Sequence, residues 1–267
     1  MSAPYQQLID ATVQHLQEMK SHGTRFVAVA PETLAALKQP APRPVRPVAV
    51  MTAAPTAAAA TDKASAMQAL RERALVCQQC PQLASTRRNV VFGVGSIDAA
   101  LMFVGEAPGA DEDAQGEPFV GAAGQLLTRI IQTMGLSRET VYIANILKCR
   151  PDMPSGSSGN RKPTPAEMTT CLPYLQSQID LIQPKALVAL GATAVEGLLG
   201  PVGGISKLRG NWQTYRGVPL MPTFHPAYLL RNQALSEKRK VWEDMLAVME
   251  KLGLPISERQ SNFFLTK

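Results

Sequence analysis

Histidine is scarce in this sequence. The chain has three in 267 residues, and two of them, His15 and His22, fall in an N-terminal stretch unlike the rest. Any histidine chemistry in the body of the protein therefore has to pass through His225. Long apolar runs are also missing: none approaches the ~18 residues that a membrane-spanning helix needs. The opening, MSAPYQQLID, has neither the basic start nor the apolar core of a secretory signal,. The expectation is a cytoplasmic protein with no membrane partner. Cysteines number only four, which in that compartment argues against structural disulfides,. The glycine-rich GEAPG lacks the GK[ST] ending of a phosphate-binding loop, so a nucleotide hydrolase of that type is a poor fit,. There is no internal repeat.

What the chain does have is a mild excess of positive charge, +6 with an isoelectric point near 9.3, which points weakly to a polyanionic partner,. Its hydrophobic content of 45% is ordinary for a water-soluble fold. Four segments follow from composition. Residues 1–38 form a short extension with an amphipathic helix, Tyr5–Lys20, a candidate strand at Phe26–Val29 and a helical turn at Pro31–Leu37. Residues 39–64 collapse to Pro, Ala, Val and Thr and read as a linker,. Residues 65–253 carry the regular alternation of a folded domain, and 254–267 form a tail. The extension could recruit a protein partner as a docking helix on a tether, and a disordered tail is the plainer alternative. A monomer is expected.

The folded part alternates between strand and helix. Strands are predicted at Ala100–Val104, Val141–Leu147, Ala186–Leu190 and Val218–Phe224, and helices at Ser65–Val76, Ala123–Met134 and Pro165–Ile182,. Thr164, Pro165 and Glu167 specify the start of the last of these as a capping box. Thr193 and Glu196 suggest a second box on a short helix. NWQTYRG looks like a hairpin, and a final helix carries Val241, Met245 and Met249 on one face. The implied class is α/β, a three-layer αβα sandwich around a four-stranded parallel sheet.

In such a sheet the ligand crevice lies beyond the carboxyl ends of the strands. The polar punctuation falls there: Gly105-Glu106 after the first strand, Asn145 at the end of the second, Gly191-Ala192-Thr193 after the third, and His225-Pro226 after the fourth. The long loop Gly105–Gly124, GEAPGADEDAQGEPFVGAAG, is the main site candidate, with Asp111 and Asp113 as acceptors that fix it. Phe119, exposed-looking in that loop, is either a plug or a stacking platform for a planar ligand. Asn145, in an apolar strand, either bonds a neighbouring loop or reads a base edge, since an amide has a donor and an acceptor side by side. His225 is either a structural strand-end residue or a site residue. Cys77 and Cys80 form a CxxC, with Cys149 and Cys171 further on. Spacing leaves a metal or cluster site and four buried thiols equally open, with zinc ahead of iron–sulfur if a metal is bound. The basic residues Arg87, Arg88, Lys207, Arg209, Arg216, Arg231 and Lys238–Lys240 are scattered. Arg231, six residues past His225, is the best placed to reach a phosphate,.

Four blocks in this order, GEAPGADEDAQGEPFVGAAGQLL, VYIANILKCRP, CLPYLQSQIDLIQPKALVALGATA and MPTFHPAYLLR, resemble the family 4 uracil-DNA glycosylases, the iron–sulfur branch of their superfamily. The resemblance covers roughly Leu70–Leu252. It implies a repair glycosylase that flips uracil out of DNA and hydrolyses its N-glycosidic bond. It implies that Cys77, Cys80, Cys149 and Cys171 bind a [4Fe–4S] cluster. It also implies that Phe119 stacks on the base, that Asn145 reads its edge and that His225 donates to uracil O2. Gly105, Glu106, Ala107 and Glu112 complete the implied base site. Glu112 would exclude the 5-methyl of thymine, and Glu106 would hold the water because Ala107 stands where other branches have an aspartate. Lys207, Arg209 and Arg231 are the expected DNA contacts. No lysine lies in the rim motifs, so no imine and no strand cleavage are expected. The loop GISKLRGNW has no histidine, which argues against the branch that traps uracil-DNA covalently. A catalytically weak DNA-binding scaffold is the remaining alternative. The interval between Cys149 and Cys171 is longer than usual for the family because of SGSSGN, which should form a surface loop and leave the cluster intact.

Overall fold

The structure, a computed structural model, describes residues 57–151 and 159–265. The expected elements at Tyr5–Lys20, Phe26–Val29 and Pro31–Leu37 lie outside the described residues, as does most of the SGSSGN loop. Helix α1 (Ala57–Leu75) begins inside the stretch expected to be linker. Its first turn is the run AAAAT, and alanine is the best helix former. A short α2 (Pro81–Thr86) follows, with Cys80 at its N-cap.

The sheet has six strands where four were expected: β1 (Val94–Gly95), β2 (Leu101–Gly105), β3 (Tyr142–Asn145), β4 (Ala186–Leu190), β5 (Gln213–Tyr215) and β6 (Val218–Thr223). Their spatial order is β1-β3-β2-β4-β6-β5. The four expected strands are the parallel centre, and β1 and β5 flank them as antiparallel edges. Both edges are too short to show a period. The β5–β6 hairpin turns on Arg216 and Gly217, with φ of 50° and 81°, the left-handed pair that two-residue hairpins favour.

Every residue of β2, β3 and β4 is buried, as central parallel strands with both faces covered must be. Alternation divides them between two cores. Met102, Val104, Ala144, Leu187 and Ala189 face one side, packed on Met67 and Leu70 of α1 and on residues of α5 (Pro165–Ile182) and α6 (Ala192–Leu199). Leu101, Phe103, Ile143, Val188 and Met221 face the other. There they meet Leu127 and Ile131 of α4 (Ala122–Thr133) and Trp242, Met245 and Val248 of α9 (Leu235–Leu252). Each large side chain so buried contributes ~1.5–3 kcal/mol. Helices therefore cover both faces of a mostly parallel sheet.

The α5 capping box forms as expected: Glu167 N–H donates to Thr164 Oγ1, and Thr164 N–H donates to the Glu167 carboxylate at 2.8 Å. The second expected box does not form. Gly191, at φ 90°, caps α6 without a side-chain bond. Thr193 is buried inside that helix, and Glu196 pairs instead with Lys162 at 2.5 Å. The remaining helices are α3 (Ala110–Gln115), α7 (Ile205–Leu208), α8 (Pro226–Arg231) and α10 (Glu258–Ser261). The expected tail packs back on the domain. Trp242 Nε1–H donates to Gln260 O, Gln260 Nε2–H donates to Thr133 O, and the Phe263 ring meets Trp242 edge-on at 5.6 Å. Among the described residues no helix is long and apolar enough to cross a membrane.

Candidate active site

The parallel register sets Gly105 opposite Asn145 at the carboxyl ends of β2 and β3. Strand β6 ends at Thr223 and delivers His225 to the N-cap of α8. The strand order reverses direction between β3-β2 and β4-β6, which is the switch point where such sheets hold ligands. A cavity of about 160 Å³ opens there, lined by Phe119, Asn145, His225, Glu112 and Ala107, with Gly109, Ala123 and Asn160 around them. A roomier apolar groove of about 340 Å³ between α4, α8 and α9 has neither carboxylate nor histidine in its walls. The smaller cavity is the one with a histidine, a carboxylate and amides in its walls.

The loop leading into the cavity is organised rather than extended, because α3 forms in its middle. Glu112 staples it. One carboxylate oxygen accepts from Gly109 N–H and the other from Val120 N–H and Gly121 N–H, each at 3.0 Å. Asp113, buried, accepts from the backbone N–H groups of Arg88 and Asn89, as a loop-fixing acceptor should. Asp111 is exposed. Phe119 is not exposed, as its polar surroundings suggested, but 6% accessible. Its ring lies 5.6 Å from the His225 imidazole at a 30° tilt. Gly105 makes room for it, since a Cβ there would meet the Phe119 ring at 2.5 Å and collide with the Asn145 side chain.

Asn145 is 2% accessible, and its Oδ1 has no hydrogen-bond partner in the structure. A buried carbonyl oxygen without a partner is costly, and this one belongs to a residue that lines the cavity. His225 has a fixed tautomer. Its Nδ1 accepts from Ala227 N–H at 3.1 Å, so Nδ1 is bare and Nε2 carries the proton. Burial, aided by the Arg231 charge and opposed by Glu112, pushes its pKa down to about 4. At neutral pH the ring is an uncharged donor.

Other expected residues are not gathered here. The side chain of Glu106 is absent from the cavity wall, where Ala107 stands. Arg209 turns inward and pairs with buried Asp244, which also accepts from Thr223 Oγ1 at 2.6 Å. Lys207 on α7 and Arg231 at the end of α8 are exposed. Asn160 was missed. It follows the Ser/Gly-rich segment and bonds Pro108 O through Nδ2, while its Oδ1 accepts from Arg150. No sequence signal separates it from an ordinary loop asparagine.

Below β3, Cys77, Cys80, Cys149 and Cys171 line one small cavity of about 20 Å³ with Leu83, Leu147, Thr170 and Arg87. Arg87 Nη1–H donates to Cys149 Sγ at 3.1 Å, and Lys148 N–H donates to Cys171 Sγ at 3.3 Å. Burial raises the pKa of Cys80 and Cys149 and pushes Cys171 up to about 11. Among the described residues no group of three or more His, Cys, Asp or Glu side chains is arranged to hold a single metal ion. Lys148, fully buried, meets both regions: its backbone N–H reaches Cys171 Sγ, and its Nζ–H donates to Asn145 O at 3.0 Å, with Gln178 Oε1 at 2.7 Å as a second acceptor.

The family model of the uracil DNA glycosylase superfamily matches residues 92–246. A type-4 uracil-DNA glycosylase of Thermotoga maritima is 46% identical over 183 residues, covering 67% of this chain and 91% of the relative. One of Sulfurisphaera tokodaii is 38% identical over 208 residues, covering 74% of this chain and 90% of the relative. A type-5 uracil-DNA glycosylase of Pyrobaculum aerophilum is 28% identical over 192 residues, 60% of this chain and 82% of the relative. The family match runs from before β1 into α9 and takes in Phe119, Asn145 and His225, so the residues that build the cavity are those the match spans. The chain belongs to the uracil DNA glycosylase superfamily.

Proposed function

We propose that this chain is a monofunctional uracil-DNA glycosylase of DNA repair. It takes a uracil extruded from DNA into the Phe119–Asn145–His225 cavity and hydrolyses the N-glycosidic bond, leaving free uracil and an abasic site. One observation carries the reading: Asn145 Oδ1 is buried and unpartnered, on a residue that lines a cavity with an aromatic ring in its wall. Uracil offers N3–H to that oxygen and O4 to the amide Nδ2–H. Cytosine presents a bare N3 and an amino group, the reverse pattern. A duplex hides these groups, so the nucleotide must leave the stack.

The chemistry follows from where charge develops. As the bond between N1 and C1′ stretches, its electron pair goes to the base and the sugar becomes oxocarbenium-like. His225, neutral with its proton on Nε2, donates to uracil O2 as that oxygen gains charge. A preorganised donor of this kind is worth ~3–4 kcal/mol. Water then attacks C1′ to form the new C–O bond, and the proton it loses goes to the departing uracil anion. Glu106 was the expected water holder, but Asn160 is the better candidate because it lines the cavity and its Oδ1 has a second lone pair. Glu112 has both oxygens committed to the loop, so its part in rejecting a 5-methyl group is one of shape. Lys207 and Arg231 are the proposed phosphate contacts.

The four cysteines fit a [4Fe–4S] cluster. They surround one apolar cavity, and two N–H donors already point at their sulfurs, as the ligands of such a cluster require,. Bound there, the cluster would cross-link α2, the segment after β3, and α5, a structural service rather than a step in catalysis. The chain acts as a monomer, and the segment before α1 is not needed for excision on naked DNA.

The direct test is excision from a uracil-containing oligonucleotide, read by alkaline cleavage of abasic sites. Strand breaks only at uracil are expected. No product at large enzyme excess would sink the reading, and a DNA adduct that survives denaturation would replace it with covalent capture.

A further inference from the structure

Phe119 has a φ of +56°, a left-handed conformation that a bulky residue seldom holds unless its surroundings impose it. Two charged side chains do so from opposite directions. Downstream, the Glu112 carboxylate gathers the N–H groups of Val120 and Gly121. Upstream, Arg138, in the turn between α4 and β3 and outside every motif that marks the site, reaches back to the carbonyls. Its Nη2–H donates to Pro118 O at 2.7 Å and its Nη1–H donates to Phe119 O at 3.0 Å, with Thr128 Oγ1 at 3.4 Å as a further partner of Nη1.

Given the reading of Phe119 as the platform under the base, we infer that Arg138 is a positioning residue for uracil excision. Its planar fork spans two successive carbonyls, a task for which the single ammonium of lysine has the wrong shape. With the carbonyls of residues 118 and 119 held by a cation and the amides of 120 and 121 held by an anion, the peptides on either side of Phe119 cannot rotate. The ring is thereby fixed in height and tilt against His225. Misplacing a group that positions substrate by ~1 Å can cost ~100-fold in rate.

A double-mutant cycle tests this. Arg138→Met is made in the intact chain and in a Phe119→Ala background, with kcat/KM measured on a single-stranded uracil oligonucleotide and thermal midpoints recorded for all four proteins. Arg138→Met is expected to cost ~30-fold where Phe119 is present and under ~3-fold where it has been removed, because the residues act as one unit. Arg138→Lys should recover only part of the loss, and it carries the same comparison if the Met variant fails to fold. Equal losses in both backgrounds, or a loss under ~2-fold in the intact chain, would overturn the inference while leaving the stacking role of Phe119 standing. If Phe119→Ala alone leaves kcat/KM unchanged, the platform reading fails and takes the inference with it.

Discussion

The backbone N–H of Ala227 donates to Nδ1 of His225 at 3.1 Å, and this bond between residues two apart decides which ring nitrogen can face a substrate. In the proposed mechanism the donor is the neutral ring, because burial holds its pKa down at about 4. We therefore expect kcat to show no inflection near the ordinary histidine value of about 6.5. His225→Ala should lower kcat by ~10²–10³-fold. Affinity for abasic-site DNA, measured by equilibrium binding, should stay nearly constant. An inflection near 6.5 that vanishes in the variant would mean that the imidazolium is the donor.

The same residue links stability to pH. Its folded pKa lies below its unfolded one, so folding disfavours the protonated ring. The associated stability is complete above about 6.5 and is lost as pH falls through about 4,. Other groups add their own acid sensitivity, so the informative quantity is a difference. Urea unfolding at neutral and acid pH should show His225→Gln losing ~1–3 kcal/mol less on acidification than the parent. Equal losses would mean that the histidine titrates alike folded and unfolded.

Gly105→Ala asks whether close approach matters. A Cβ at that position meets the Phe119 ring at 2.5 Å and the amide of Asn145 as well. Both are held by other contacts, so the added methyl should push ring and amide apart. Excision should fall at least ~10-fold, since both groups must keep their positions to within a fraction of an ångström. Crystallography of the variant would show which of the two yields. Unchanged kinetics would mean that the cavity is softer than its packing implies.

Cys171→Ser tests the sulfur centre with a readout independent of excision. If the four cysteines hold the proposed cluster, the parent should carry about four iron and four sulfide per chain with broad visible absorbance, and the variant should lose both. The thermal midpoint should fall too, because α5 would lose its tie to the segment around Cys77. Full iron content in the variant would exclude this cysteine as a ligand, and stoichiometric zinc in an iron-free parent would replace the cluster altogether.

Much of the site was legible because polar residues at strand ends stand out from apolar runs. Asn145 closes YIAN and His225 follows VPLMPT, so strand recognition alone put both on one rim. The edge strands were not legible: two residues of β1 carry no period, and β5 depends on its turn. Phe119 was misjudged because polar neighbours in sequence say nothing about a backbone that folds its ring inward. Arg209 was misread for a related reason. A surface-type residue next to a glycine gave no hint that Asp244, on a helix 35 residues later, would draw it in. Asn160 and Arg138 were invisible because each acts through backbone carbonyls, which every residue has.

The register that sets Gly105 beside Asn145 also has a consequence for the newly made protein. The groups of the cavity are spread along the chain from Ala107 to His225, and His225 arrives only when β6 has docked on β4. Synthesis delivers β6 last among the central strands, and domains fold as units from the N-terminal side during synthesis. A chain that ends before β6 carries Phe119 and Asn145 but not His225. Competence to cut a glycosidic bond is thus withheld until the sheet is whole, and a truncated chain ending before β6 should be inert toward DNA rather than weakly active.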